Sequence, residues 1–313
     1  MSLDEEIGAV MMVGFRGPLT DAVVADFQAH QYGGLLIVNQ NRNAISGEVL
    51  SSTIAQLRTI SRRRLLAATD QEGGEVCLEA ASVPCAPMPV GQATTTQMAG
   101  ALKHLGFDVD LGPVSDVCSD SSSVMWGRCY GTDPASVASS VGAVVDGIHA
   151  AGMLSTSKHF PGHGDTSVSS EASLPRIDES IATLQRRNWP PFEAAIQHGT
   201  DFVMIGHLFY PAIDAHRSAD LSPNTFAMLR DELKFGGAII SDDMQMGAIT
   251  SSTSTPEAAV EFLAAGGDMV MVAHDLSVAD ATYEAIKSAV ESGRLPRQRL
   301  DDAVAALTRL SKG

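Results

Sequence analysis

Positive charge is scarce in this chain: 21 Lys and Arg stand against 37 Asp and Glu, a formal net charge of −16 over 313 residues. Nucleic acid and anionic membrane surfaces repel such a protein at short range, so neither is expected as a partner. Long apolar runs are missing as well. No stretch approaches the roughly 18 to 20 continuous apolar residues that a membrane-spanning helix needs, and the opening MSLDEEIGAV is acidic where a secretory leader is basic. Cysteine is limited to Cys77, Cys85, Cys118 and Cys129, at spacings that match no zinc-ligand pattern and too few for a disulfide scaffold. Reduced thiols in a cytoplasmic protein are the expectation, with a Cys77–Cys85 or Cys118–Cys129 bridge as the alternative. A Gly-Lys-Ser/Thr phosphate loop and a Gly-x-Gly-x-x-Gly turn after a strand are both absent, which removes the usual sequence signs of a nucleotide.

What is present is a hydrophobic content of 44%, ample for a large core. Eight short apolar runs recur, at 10–15, 34–39, 65–70, 107–113, 154–160, 202–208, 237–243 and 268–273. Between them lie segments of helical period, among them 47–61, 135–151, 180–198, 222–233, 256–265 and 279–292. This alternation is the pattern of repeated βα units around a parallel sheet. Eight of them predict one α/β domain over 1–313, a single (β/α)8 TIM-type barrel, with an open doubly wound sheet as runner-up. The placement of polar residues favours the barrel: Asp70, Asp116, Lys158, His159, His207 and Asp242 fall at or just past the C-terminal ends of the runs, where barrel enzymes carry their chemistry. No linker, low-complexity tract or clear repeat divides the chain.

Three segments carry candidate chemistry. In GGAIISDDMQMGAI a strand ends in Asp242 and Asp243. Alternation lets only one face a shared site, Asp242, while Asp243 is equally suited to capping the next helix. DQEGGEV follows the third run with Asp70 and a glycine pair that permits a sharp turn. KHFPGHG places Lys158 and His159 at a strand end and then breaks the backbone with Pro161, Gly162 and Gly164. His159 and His163 have a zinc-like spacing, but the intervening Pro-Gly forbids the helix that would align them, so no metal is expected.

Taken in order, IGAVMMVGF, GGLLIVNQN, DQEGGEV, LGFDVDLGPVSDV, GRCYG, KHFPGHGDTSV, MIGHLFYPAID, LSP and SDDMQMGAI resemble the β-N-acetylglucosaminidases of glycoside hydrolase family 3, the NagZ-like enzymes of bacterial cell-wall recycling. The resemblance implies a barrel, a small carbohydrate substrate, no cofactor, and retaining hydrolysis of a β-glycoside. It makes Asp242 the nucleophile and Asp70, Arg128, Lys158 and His159 the residues that hold the sugar hydroxyls. Lys158 and Arg128 are then expected to keep Asp242 ionised.

The chain also departs from the family. Where the family has Asp-Ser-His before Leu-Pro, with the histidine as acid/base and the aspartate orienting it, this chain has Ser169, Ser170 and Glu171. After DQEGG, Glu75 and Leu78 stand where the family has arginines. Glu171 can restore the lost function, since a carboxylic acid whose pKa is raised by burial protonates a leaving oxygen. The expectation is a retaining glycosidase with Asp242 and Glu171 as its carboxyl pair, about 5 to 5.5 Å apart in ordinary retaining enzymes. His163, Asp165 and His207 are lesser candidates. The alternatives are a non-hydrolytic sugar-binding relative and transfer to an acceptor such as phosphate.

Overall fold

The computed structural model describes residues 1–43, 46–79 and 83–310. Its centre is a closed barrel of parallel strands in sequence order: β1 (Met11–Gly14), β2 (Gly34–Leu36), β3 (Leu66–Thr69), β4 (Val109–Asp110), β5 (Leu154–Phe160), β6 (Phe202–Ile205), β7 (Ala238–Asp243) and β8 (Met269–Val272). Each lies inside one of the eight apolar runs. Closure is direct, with Met12 in register with Gly34 of β2 on one side and Met271 of β8 on the other. The open-sheet alternative is thereby ruled out.

Helices return the chain outside the barrel, and their ends are written in the sequence. Thr20, Ser46, Asp133 and Ser254 each cap a following helix by accepting a backbone N–H with the side-chain oxygen. The helix Gln92–Leu105 stops at Gly106, whose φ of 102° is open to glycine at little cost. The expected helix over 180–198 is interrupted by a π-helical stretch, Leu184–Asn188, before Trp189–Gln197. Pro190 and Pro191 cannot donate to the carbonyls one turn back, so the hydrogen-bond register loosens there. Pro223–Ala227 likewise passes into a π-helical Met228–Glu232.

The N-terminal mouth of the barrel is held by a recurring device. Asp108, Asp201 and Asp268 stand immediately before β4, β6 and β8, and each accepts a backbone N–H from the preceding strand region: Ala67 at 3.0 Å, Ser155 at 2.9 Å and Ile239 at 2.9 Å. Basic side chains then meet them. Arg58 and Arg64 meet Asp108, His149 meets Asp201, and Arg230 and Arg299 meet Asp268 at 2.8 and 2.6 Å. The sequence does contain a short repeat, Gly-x-Asp before an apolar strand, at 106–108, 199–201 and 266–268.

The cysteines correct the expectation of reduced thiols. Cys77 pairs with Cys85 and Cys118 with Cys129, with Cα atoms 5.9 and 6.1 Å apart. Both alternatives are realised together. Among the described residues no helix is long and apolar enough to cross a membrane.

Candidate active site

At the C-terminal mouth, two adjoining cavities of about 240 and 290 Å³ share Gln40, Asp70, Glu171, Asp242 and Met246 in their walls. Lys158 and His159 both face the first, although neighbours on a regular strand point to opposite sides. The β5–β6 register shifts between Ser157 and Phe160, and this irregularity breaks the alternation.

Lys158 is buried, with Nζ 2.5 Å from Asp70 Oδ1 and 2.6 Å from Glu72 Oε1. Arg128 donates to the same Glu72 through both Nε (2.8 Å) and Nη2 (2.7 Å). Burial disfavours the charge on Glu72, but Arg128 and then Lys158 more than offset this and hold its carboxyl far below the usual range. The two cations are therefore engaged with Glu72 and Asp70 in the first instance. Asp110, also buried and accepting from Gln71 N–H at 3.1 Å, is pushed well above the ordinary carboxylate range by burial.

His159 is set by Asp116, whose Oδ2 accepts from Nδ1 at 2.8 Å while Oδ1 accepts the His163 N–H at 2.6 Å. The His159 Nε2 atom then faces Asp242 Oδ2 at 4.0 Å. The other oxygen of Asp242 accepts its neighbour's N–H, Asp243 to Oδ1, at 2.8 Å. Burial raises the Asp242 carboxyl, yet His159 and His207 outweigh it and the net shift is downward. The electrostatic support expected from Lys158 and Arg128 thus comes first from two histidines, with Lys158 behind them, because the cations are closer to Glu72.

His207 does not reach the cavities. Completely buried, it bonds Asp220 through Nδ1 and the Asp243 carbonyl through Nε2, each at 2.9 Å. Burial opposes its charge, but the Asp220 carboxylate raises its pKa to about 9. Asp243 is occupied structurally: Oδ1 accepts from the N–H groups of Gln245 (3.1 Å) and Ala273 (2.9 Å), and Oδ2 lies 3.3 Å from His274 Nε2. The capping alternative is not met: the next helix, Gly247–Thr250, follows Met246 without a side-chain cap, and Asp243 instead bonds the turn before it and the end of β8.

The loop that opens with KHFPGHG returns over Asp242. Ser170 Oγ meets His163 Nε2 at 3.2 Å, and the carbonyls of Ser170 and Glu171 accept the N–H groups of Ala248 and Gly247, each at 3.0 Å. A Cβ on Gly247 would sit 2.6 Å from the carbonyl oxygens of both Glu171 and Ala172, so glycine is required for this close approach. Glu171 lines both cavities from an exposed position on the loop, where partial loss of solvent followed by the charges of Asp242 and Asp243 raises its carboxyl. Burial, and next the charge of His159, lower His163 to a pKa of about 4 and keep it neutral. Asp165 points elsewhere, pairing with Arg187 beside Glu179.

Asp70, Arg128, Lys158, His159, His163, Glu171 and Asp242 therefore line one cavity, whereas Asp165 and His207 do not. Glu72 was given no role from sequence, although it lies within DQEGG; its contacts depend on how Gly73 and Gly74 turn the chain, at φ of 89° and 61°. Leu78, one of the two departures after DQEGG, is buried and joins the core. Glu75, the other, is exposed and lies against Gly127.

The sequence pattern of the glycosyl hydrolase family 3 N terminal domain matches residues 2–310. The chain belongs to glycoside hydrolase family 3. It is 31% identical to a beta-hexosaminidase of Idiomarina loihiensis over 265 residues, covering 80% of this chain and 79% of that one. A beta-hexosaminidase of Pseudomonas aeruginosa is 32% identical over 285 residues, with 86% and 84% covered. Among solved structures, the family 3 beta-N-acetylglucosaminidase from Paenibacillus superposes with a TM-score of 0.94 at 30% identity over all of this chain. This chain spans 62% of that longer protein. Membership of family 3 supports glycoside hydrolysis and a carbohydrate substrate.

Proposed function

We propose that the chain hydrolyses β-N-acetylhexosaminides by a retaining double displacement, with Asp242 as nucleophile and Glu171 as acid/base. The observation that carries this reading is two carboxyls in one cavity with shifts of opposite sign, Asp242 down and Glu171 up. Groups driven apart in this way divide into an ionised nucleophile and a protonated acid. The named activities of the Idiomarina, Pseudomonas and Paenibacillus relatives support the sugar assignment.

The geometry also distinguishes the two oxygens of the nucleophile. Oδ1 is held by the Asp243 N–H, so Oδ2, facing His159, attacks the anomeric carbon as Glu171 gives its proton to the departing oxygen. The bond from the anomeric carbon to the leaving oxygen breaks, and an ester to Asp242 forms. Glu171, now a carboxylate, takes a proton from water, whose oxygen displaces Asp242 and regenerates both groups. Asp70, Arg128, Lys158 and His159 hold the sugar hydroxyls during both steps, with Glu72 fixing Arg128 and Lys158 in place.

The reading is tested by release of an aryl alcohol from aryl β-N-acetylglucosaminides by the parent and by Asp242→Ala. Turnover by the parent that is lost in the variant is expected. Equal and negligible turnover in both across a panel of β-glycosides would leave sugar binding without hydrolysis as the function.

A further inference from the structure

All four cysteines are paired, and both bridges lie in loops beside the cavity. Val76, which precedes Cys77, lines it. Cys118 follows two residues after Asp116, the partner of His159, and Cys129 directly follows Arg128. The segment between them forms turns only, without helix or strand. Its apolar side chains do not join the main core. Val114, Cys118, Met125 and Cys129 form a small separate cluster with the bridge inside it. Arg128 hangs on that cluster: its N–H donates to the Met125 carbonyl at 2.8 Å, Cys129 N–H to the same oxygen at 2.9 Å, and Nη1 lies 3.4 Å from Met125 Sδ.

The segment is tied to the next loop by the Ser119 N–H on the Gly164 carbonyl at 3.2 Å and the Val124 N–H on the Thr166 carbonyl at 3.0 Å, and Glu72 grips the Arg128 guanidinium, while its two ends are joined to each other by the covalent link. We propose that the Cys118–Cys129 disulfide is a positioning element of the site: it fixes the turn that carries Arg128, so that Glu72 and the bridge together hold this side chain on the glycone side of the cavity and reduction loosens it. The proposal rests on the glycosidase reading for its kinetic consequence, though not for its structural one. It also assigns the chain to an oxidising compartment, against the cytoplasmic expectation, since cytosolic thiols are kept reduced. There the bond forms by exchange with a disulfide oxidant, which takes up the two electrons and two protons released by the cysteines and becomes a dithiol.

Three measurements test it together. Peptide mapping of unreduced protein, purified from an oxidising compartment, should recover Cys118 linked to Cys129. Hydrogen exchange of the segment 119–131 should accelerate on reduction with a phosphine, while the barrel strands stay protected. With aryl glycosides, Cys118→Ser/Cys129→Ser should raise KM by about 10- to 100-fold, the loss of a charge-assisted hydrogen bond or two, with kcat much less affected. Because the bridge acts through Arg128, adding these changes to Arg128→Ala should leave the Arg128→Ala KM unaltered. Free thiols in the unreduced protein, unchanged exchange on reduction, or KM effects that multiply would each overturn the proposal. Should the parent prove inactive, mapping and exchange still decide the positioning claim, and only the glycosidase reading falls.

Discussion

Loss of solvent raises the carboxyls of both Asp242 and Glu171, and what separates them is the company each keeps. Asp242 faces His159, with the charged His207 behind it, while Glu171 faces Asp242 and Asp243. On the proposed mechanism the active form is ionised at Asp242 and protonated at Glu171. Activity should rise as pH passes the lowered Asp242 value, below 3.8, and fall as pH climbs through the raised Glu171 value, above 4.5. Glu171→Gln should remove the falling limb and reduce turnover of poor-leaving-group substrates by about 10²- to 10⁴-fold, sparing activated aryl glycosides. Rates across a series of leaving groups check this, and a uniform loss would exclude Glu171 as the acid.

His207 makes a separate prediction. Its folded pKa of about 9 exceeds the ordinary 6.5, so the His207–Asp220 pair stabilises fully below pH 6.5, and that contribution is lost as pH rises through 9. The shift corresponds to roughly 3 kcal/mol. Urea unfolding of the parent and His207→Gln should show a stability gap that closes over this range. Which residues come together was partly legible: Lys158, His159 and Asp242 stand at strand ends on the mouth that carries the chemistry, although the shared direction of Lys158 and His159 comes from the β5 irregularity and not from regular alternation. Glu72 and Asp116 were not assigned roles, because their contacts depend on turns whose path only long-range packing decides.

Among the elements, the strands were easily read, because both faces are buried and the runs are continuously apolar. The helix Gln92–Leu105 is less apparent, since its QATTTQMAGALKHL carries three β-branched threonines and a glycine. Packing of Met98, Ala99, Leu102 and Leu105 overrides that weak propensity. The Gly-x-Asp device at the opposite mouth was visible as letters but not as a function. Asp268→Ala would leave the Ile239 N–H without its side-chain acceptor and remove the carboxylate from Arg230 and Arg299, which keep the Phe235, Gly237 and Gly267 carbonyls, and should cost about 1 to 3 kcal/mol, measured by denaturant unfolding. Gly247→Ala tests the seat of the Glu171 loop. The added methyl should displace that loop, slowing turnover of poor-leaving-group substrates while covalent labelling of Asp242 continues. Unchanged kinetics would show that the loop is not held there.

At the scale of the molecule, the barrel separates two tasks: carboxylates at its N-terminal mouth tie strands together, and those at its C-terminal mouth line the cavity proposed to take the sugar. Sequence order, strand number and closure were legible because the eight runs admit few topologies. The disulfide partners were named from sequence only as the alternative to reduced thiols, since proximity of Cys118 and Cys129 follows from the path of the loop between them. The acidic surface agrees with a neutral substrate, whose binding should depend weakly on salt. The account stands on a covalent intermediate at Asp242 with Glu171 above it. The most direct measurement is mass spectrometry of the parent after reaction with a fluorinated glycosyl fluoride that traps such an intermediate. One glycosyl unit on the peptide containing Asp242, absent in Asp242→Ala, is the predicted result. Turnover of substrate with labelling at another carboxylate would contradict it.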